Sequence, residues 1–357
     1  MEHQVARRVT IADVAEAAGV SKTAVSFAFN NPGRLNVDTA SRIMEIAASL
    51  GYRPDPVARM LTQRRTGTIG LVTPQALASI FSNPFFGMFS AGVAGVAEEA
   101  GYGLHFISPM HGSLSRAISR AIVDGVVAIG LAADHPEIAE IRRAGLPMTT
   151  VDSDLFDDIP SVDVDDEGGA EAAAAHLVEL GHRDILVIGI ERAEHAPSGA
   201  DDVVARRLRG YRTKLATVGI AVADEDVIVS PATFAGGLSA IDRAWEAGRR
   251  PTAILAMSDA IAIGAIRGLR DRGLSIPADV SVVGFDDIDL AQHVDPPLTT
   301  VHQPIRRKGE EAVRLLLSVV QRRDQARPEH RRLETRLIVR CSTGPAPQRR
   351  REEVAGA

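Results

Sequence analysis

The chain has 357 residues, 45% of them apolar, and a formal net charge of −6. That length suggests two or three domains with ample material for buried cores, and the single cysteine, Cys341, excludes an internal disulfide and a cysteine metal cage. No apolar run is long enough to span a bilayer and the polar N-terminus carries no signal-peptide pattern, so a cytoplasmic protein without membrane contact is expected.

The charge is unevenly spread. Residues 1–66 hold nine basic and six acidic residues, a net +3 that leaves −9 for the remainder. A mildly basic head on an acidic body fits a small DNA-binding module joined to a sensor.

The head opens with Val9 to Asn30, which reads as two short helices. Thr10 caps the first, and Asp13 three residues on completes a capping box. Ile11, Val14, Ala15 and Ala18 recur at helical spacing, and Gly19 ends the helix where a left-handed residue is wanted. Ser21 caps the second helix, whose inward residues are Ala24, Val25 and Ala28. A small residue at Ala15, a corner at Gly19 and a plug at Val25 form the packing pattern of a helix-turn-helix. A plain helical hairpin would show the same corner. The outward face of the second helix carries Lys22, Thr23, Ser26, Phe27 and Asn30, and such a helix reads bases in the major groove. Asp38 is expected to cap a third helix, Thr39–Leu50, closed by Gly51. Asp55 and Pro56 then start a segment through Arg59 and Leu61 that is too short to be a stable helix alone.

These residues carry a resemblance. The T-I-x-D-V-A-x-x-A-G-V-S start, the V-S inside the second helix and the Y-x-P-x-x-x-A-R-x-L segment at Tyr52–Leu61 resemble the lactose-repressor (LacI/GalR) family of bacterial transcription regulators. The likeness runs on to Arg340. It implies that Thr10, Ser21, Lys22, Thr23, Ser26, Phe27, Asn30 and Arg59 contact DNA, and that Leu61 of paired hinge helices wedges into the minor groove. It also implies a homodimer or higher oligomer on a double-stranded operator. Two departures stand out. Ala24 replaces a threonine common in the family, which removes a phosphate contact. Phe27 stands where well-studied members carry Arg or His, and a phenyl ring packs on a thymine methyl but cannot hydrogen-bond a guanine.

From Thr68 apolar strands alternate with amphipathic helices, the mark of a parallel sheet covered on both faces. One series of strands is Thr68–Thr73, Gly103–Ser108, Gly125–Gly130 and Met148–Val151. A second is Ile185–Gly189, Val227–Val229, Ala253–Met257 and Val280–Phe285. Intervening helices include Pro84–Ala100, Gly168–Leu180, Asp202–Val218 and Ser258–Arg272. Asp295–Val301 is then extended, Pro304–Gln321 is a long helix and Leu333–Val339 a last strand. Two similar series suggest two similar α/β lobes behind an all-α helix-turn-helix head, and the resemblance implies that the lobes form a periplasmic-binding-protein-like body. The expected boundaries are 1–54 for the head, 55–67 for hinge and linker, 68–344 for the body and 345–357 for a disordered tail. By resemblance, the first lobe takes about 68–162 and 296–325, and the second about 163–295 and 326–344.

In open parallel sheets ligands bind beyond the carboxyl ends of strands. Three such ends carry acids: Asp152, Asp259 (preceded by Ser258) and Asp286. Carboxylates accept hydroxyl hydrogen bonds and so grip sugars, though each also suits a helix cap. Asp286 matches the family's ligand-contacting Asp in G-[YF]-D. Arg207 stands three before Gly210, as the family's effector-contacting arginine does, with Arg206 and Arg209 as competitors. Asn83 and one of Phe85 and Phe86 are expected to face the cleft, the other phenylalanine being core. Phe234 can stack on a sugar or a base. The effector implied is a sugar or a nucleoside or purine. No cofactor or metal is expected, because the Asp163–Glu167 carboxylate run lacks calcium-loop spacing and suits helix capping. His182, in Gly181-His182-Arg183, is read as structural. A secreted binding protein would want a signal peptide and no helix-turn-helix. An enzyme would want a nucleophile, metal cage or nucleotide loop, and G-x-S-x-G, H-E-x-x-H and P-loop patterns are absent.

Overall fold

In a computed structural model of the protein, the described residues are 9–55, 60, 65–131, 136–153, 156–192, 201–322 and 328–348. The chain divides into two compact units, Met1–Thr66 and Gly67–Ala357.

The first unit packs three helices, α1 (Ile11–Ala18), α2 (Lys22–Asn30) and α3 (Val37–Ser49). Asp13 N–H donates to Thr10 Oγ1 at 3.4 Å and Thr10 N–H to Asp13 Oδ2 at 2.8 Å, closing the predicted capping box. Gly19 turns the corner at φ 64° and Ser21 caps α2 through the Ala24 N–H. Val14, Ala15, Ala18, Val25 and Ala28 meet Ile43 and Ala47 of α3 in one apolar core. The third helix starts earlier than predicted. Asn36, not Asp38, is its cap, because Asn36 Oδ1 accepts the Asp38 N–H at 2.9 Å and leaves Val37 as the first helical residue. Residues 56–59 and 61–64 of the expected hinge and linker, Arg59 and Leu61 among them, lie outside the described residues.

The second unit carries two six-stranded sheets. The first lobe runs β1 (Thr68–Val72), α4 (Leu77–Ser82), α5 (Pro84–Glu99), β2 (Gly103–Ile107), α6 (Leu114–Ile118), β3 (Gly125–Ile129), α7 (Pro136–Arg143), β4 (Met148–Val151) and β5 (Ser161–Val164). The second runs α8 (Asp166–Glu179), β6 (Ile185–Ile190), α9 (Val203–Ala216), β7 (Ile228–Ser230), α10 (Phe234–Glu246), β8 (Ala253–Ala256), α11 (Asp259–Arg270), β9 (Ser281–Asp286) and β10 (Thr299–His302). The tail adds α12 (Ile305–Arg322), β11 (His330–Leu333) and β12 (Arg336–Ile338). Sheet orders are β11-β5-β4-β3-β1-β2 and β12-β10-β9-β8-β6-β7. Pairing is parallel throughout except for β12, which runs antiparallel to β10. Parallel strands buried on both faces need continuous apolar runs, which Gly125–Ile129 and Ala253–Ala256 supply.

The tail differs from its predicted lobe assignment. β10 belongs to the second sheet, whereas 296–325 was placed wholly in the first lobe; only α12 packs there, on α5 and β3–β5. The predicted strand Leu333–Val339 is two strands: β11 pairs with β5 in the first sheet and β12 with β10 in the second. The chain thus crosses between lobes three times, at Asp165, at Gln303-Pro304 and at Glu334-Thr335. Strand β5 escaped the sequence reading because four residues with an acid among them look like part of a carboxylate run. The predicted tail from 345 is partly docked as well, with Ala346 N–H donating to Leu180 O at 2.8 Å. His182 is buried and reaches Thr252, Ser281 and Gly344 O, each at 3.0 Å, which fits its structural reading.

Two glycines fix where α12 lies. A Cβ on Gly92 of α5 would fall on the Arg306 carbonyl oxygen, and one on Gly309 of α12 would fall on that of Phe89. The helices therefore cross backbone to backbone. Gly309→Ala should force them apart and lower the unfolding free energy by about 1–3 kcal/mol, measured by urea titration. Wild-type stability in that variant would mean that the crossing has slack.

Candidate functional site

The head presents one exposed helical face. Lys22 and Thr23 are exposed on α2, with Ser26, Phe27 and Asn30 half-buried on the same helix. Thr10 and Ser21 are exposed too, and their hydroxyls cap α1 and α2. Asn30 Nδ2 donates to Ser26 Oγ at 3.3 Å, which orders the last turn of the helix. Arg34, which the sequence reading did not single out, holds its guanidinium 5.3 Å from the centre of the Phe27 ring. A cation on an aromatic face beside the outward helix supplies the positive charge that Phe27 itself lacks.

In the second unit the carboxyl ends of β4 and β9 turn sharply. Asp152 (φ 51°), Asp286 (φ 126°) and Asp287 (φ 58°) all have left-handed backbones that residues with a Cβ seldom adopt. Such strain collects where a site needs a side chain aimed in one direction.

These turns feed one buried polar chain. Lys308 Nζ donates to both oxygens of Asp152, at 2.8 and 2.9 Å, and to Gln303 Oε1 at 2.7 Å. Gln303 Nε2 donates to Asp286 Oδ1 at 2.5 Å. Arg207 Nη1 lies 3.6 Å from the same Asp286 oxygen, and Arg207 Nε donates to Asp166 Oδ1 at 2.9 Å. Arg206 donates to the other Asp166 oxygen at 3.0 and 3.1 Å and comes within 3.8 Å of Asp163. The guanidinium of Arg207 also stacks 3.6 Å from the centre of the Phe285 ring and donates to Met257 O. Charges alternate along the whole series, so each desolvated group has an opposite neighbour.

Local packing aims these groups. Gly210 lets α9 ride on the Glu167 carbonyl of α8, where a Cβ would collide, and this brings Arg207 one turn earlier over Asp166. Arg207 is the buried one of the three candidate arginines, while Arg209 is exposed and paired with Glu167 and Asp201.

Electrostatics follow from the neighbours. Burial pushes Asp166 up, but Arg207, Arg206 and Lys308 together outweigh it and hold the carboxyl below its ordinary range. Burial raises Asp286 to about 6 against the opposing pull of Arg207 and the Gln303 hydrogen bond. Burial and then the Asp152 charge raise Asp163 to about 6, and its Oδ1 is buried without a hydrogen-bond partner.

Several predicted contacts sit elsewhere. Phe85 and Phe86 are both buried core residues, with Phe85 stacked on Phe89 and set edge to face with Phe86, so the expectation that one of them lies open to the cleft is not met. Asn83 is half-buried and its Oδ1 caps α5 through the Phe85 N–H at 3.0 Å. Ser258 caps α11 through the Ile261 N–H. Asp259 is fully buried, with its oxygens taken by Thr300 and by Ile288 N–H, so it braces the second lobe rather than facing ligand. Phe234 is the first residue of α10 and is 36% exposed, free to stack. Asp152 stands at its strand end as predicted, with Lys308 on both oxygens. Lys308 and Gln303 were missed. Lys308 was hidden in the run Arg306-Arg307-Lys308, yet it falls on the stripe Ile305, Ala312, Leu316 of a long helix. A lysine on an apolar stripe was the available signal.

A helix-turn-helix head together with a two-lobed body that gathers polar grips at its strand ends is the make-up of a ligand-responsive DNA-binding regulator. The comparisons agree. Residues 10–55 match the family model for bacterial regulatory proteins of the lacI family, and residues 174–343 match a periplasmic binding protein-like domain. The transcriptional regulator CelR of Thermobifida fusca is 32% identical over 345 residues, covering 94% of this chain and 98% of its own. A solved CelR–cellobiose complex matches at a TM-score of 0.68 and 30% identity, over 94% of this chain and all of that one. The Lac repressor dimer bound to operator and the anti-inducer ONPF matches at a TM-score of 0.79 and 27% identity, over 95% of this chain and all of that one. The chain belongs to the lacI family of bacterial regulatory proteins and is a DNA-binding transcriptional regulator.

The raised carboxyls have a measurable consequence. The folded protein binds Asp163's proton up to about pH 6, whereas an unfolded Asp releases it near 3.8. The folded state therefore holds more protons in that window, and stability falls as pH rises through it. Asp163→Asn should be more stable than wild type by about 1–3 kcal/mol at pH 7.5 and no different at pH 4. Thermal unfolding at the two pH values checks this, and an equal gain at both would refer the effect to packing.

Proposed function

We propose that the chain is a repressor that binds a palindromic operator as a homodimer, through Thr10, Ser21, Lys22, Thr23, Ser26, Phe27, Asn30 and the hinge residues Arg59 and Leu61. Its effector is a small polyhydroxylated molecule, a sugar or a nucleoside, taken between the two lobes. The observation that carries the effector reading is the buried pairing of Asp286 with Arg207 at 3.6 Å on the strand ends of the second lobe. A carboxylate beside a guanidinium offers an acceptor and a donor to neighbouring hydroxyls. Phe234 supplies the apolar face such a ring wants. The dimer follows from size: a single helix-turn-helix makes too few contacts for tight specific binding, and two reading a palindrome double them. A DNA partner of this kind puts the protein in the cytoplasm.

A thermal-shift panel of mono- and disaccharides and nucleosides identifies the effector class. Asp286→Ala should then weaken effector binding by about 1.5–3 kcal/mol, the loss expected of a charge-assisted hydrogen bond. Operator binding should persist while the response to effector disappears. An unchanged response would remove Asp286 from the site. For the DNA end, Leu61→Ala should sharply lower operator affinity in gel-shift titrations and leave the effector-induced thermal shift intact; equal operator affinity would mean that Leu61 packs rather than wedges.

A further inference from the structure

The chain has three lysines, Lys22, Lys214 and Lys308, and Lys308 is completely buried. An ammonium taken out of water costs several kcal/mol unless its donors are all used. Here three donors meet three acceptors, the two Asp152 oxygens and Gln303 Oε1. The lysine has no room to move, because α12 is pinned at the Gly92–Gly309 crossing and the Phe85 ring centre lies 5.3 Å from Nζ.

Gln303 makes this cation matter to the grip. Its backbone N–H donates to Asp286 O at 3.4 Å, which attaches it to the second lobe at the end of β10. Its side-chain carbonyl accepts from Lys308 on α12, which packs on the first lobe. With Oε1 turned to the ammonium, Nε2 must point at Asp286 Oδ1, and it does at 2.5 Å. Flipping the amide would set a carbonyl against a carboxylate on one side and an amide against an ammonium on the other. Lys308 therefore dictates which way Gln303 faces. The other link along the same chain from lobe to lobe, Arg206 to Asp163, is longer at 3.8 Å and leaves Asp163 Oδ1 without a hydrogen bond.

We propose that Lys308 is a positioning residue that ties the Asp286–Arg207 grip to the first lobe through Gln303, and so holds the hinge formed by the three crossovers. Its regulatory meaning rests on reading Asp286–Arg207 as the effector grip; the tie itself does not. The hinge acts as one unit: Asp165 N–H donates to Leu333 O at 3.0 Å and Thr335 Oγ1 to Asp165 O at 2.9 Å, which joins the first crossover to the third. The β10–β12 ladder sets His302 against Arg336 and so joins the second crossover to the third, and releasing the second at Gln303 loosens all three.

The test is amide hydrogen exchange on the full chain with no ligand added. Lys308→Met alone strands the buried Asp152 charge, so it is combined with Asp152→Asn to leave a neutral pair. Gln303→Met cuts the tie and keeps the lysine–aspartate pair. Both proteins should exchange the Asp165 amide about tenfold faster than wild type, while amides inside β1 and β8 keep their protection. Asp165 lies far in sequence from Lys308 and Gln303, and Gln303→Met leaves Asp152, whose N–H donates to Val162 O beside the first crossover, untouched, so a local effect of the change at Asp152 would not move Asp165 in that variant. Protection of Asp165 within twofold of wild type in the double variant overturns the proposal. So does faster exchange throughout both sheets, which would mark general destabilisation, and so does loosening in Gln303→Met alone, which would give the tie to Gln303. Since no ligand enters the measurement, a failure to find effector binding at Asp286 would sink the functional reading and leave this result standing.

Discussion

The alternating buried charges between the lobes constrain everything around them. A series of carboxylates, two guanidiniums and an ammonium sits largely out of water, and such groups are tolerated only when each faces an opposite partner in good geometry. Asp152, Lys308, Gln303, Asp286, Arg207, Asp166, Arg206 and Asp163 meet that condition by succession, with every group between the end members Asp152 and Asp163 shared between two neighbours and the neutral Gln303 amide bridging Lys308 to Asp286. Partners shared in this way cannot shift singly. The backbone is accordingly forced into left-handed turns at Asp152 and Asp286, and the helices that carry Lys308 and Arg207 need glycine crossings to come close enough. Breaking one pair would leave an uncompensated charge in the interior, so the series specifies a particular arrangement of the lobes more than it adds to stability.

The doubly wound lobes supply the scaffold for that specificity. Each sheet ends its strands toward the polar chain, and the three crossovers run beside it. The tail is what makes the two lobes one device. It pairs β10 with the second sheet, sends α12 to the first, and then splits β11 and β12 between them. A rigid change on one side is thereby fed to the other through Gln303, Asp165 and Thr335 rather than through a flexible linker.

Local rules made much of this legible. The capping box at Thr10–Asp13, the corner at Gly19 and the apolar alternation of the body were written in residue types whose conformational preferences are strong. Asp286 and Arg207, singled out by position, do lie together in the buried chain. What escaped had no local mark. Glu334-Thr335 carries neither glycine nor proline, so nothing in that stretch announced that one strand would become two in different sheets. Asn36 outcompeted Asp38 as a cap by a two-residue reach that spacing alone does not rank. Phe85 and Phe86 both turned inward, Phe85 stacking on Phe89 one turn on and meeting Phe86 edge to face. Asp259 looked like a ligand acid and became a brace, since the Thr300 hydroxyl and the Ile288 N–H reach it from elements distant in sequence.

The polar chain also bears on how occupancy of the cleft can be sensed. Asp286 Oδ1 already accepts from Gln303. If Asp286 is the effector grip, as proposed, a ligand hydroxyl that takes that oxygen competes with Gln303 for it, and binding is coupled to the contact that reaches Lys308 and the first lobe. An effector can shift an equilibrium only by its differential affinity for the two states, and a grip whose free form is already satisfied by the protein supplies such a difference without any large motion. The raised Asp286 carboxyl sharpens the competition. Burial disfavours its charge, Arg207 and Gln303 oppose that, and removing Gln303 without an equivalent donor would push the group toward protonation and weaken its hold on Arg207. On the proposed reading of Asp286 as the effector grip, a ligand must return at least one donor to Asp286 for every donor it displaces, a condition that vicinal hydroxyls meet and that a purely apolar molecule does not.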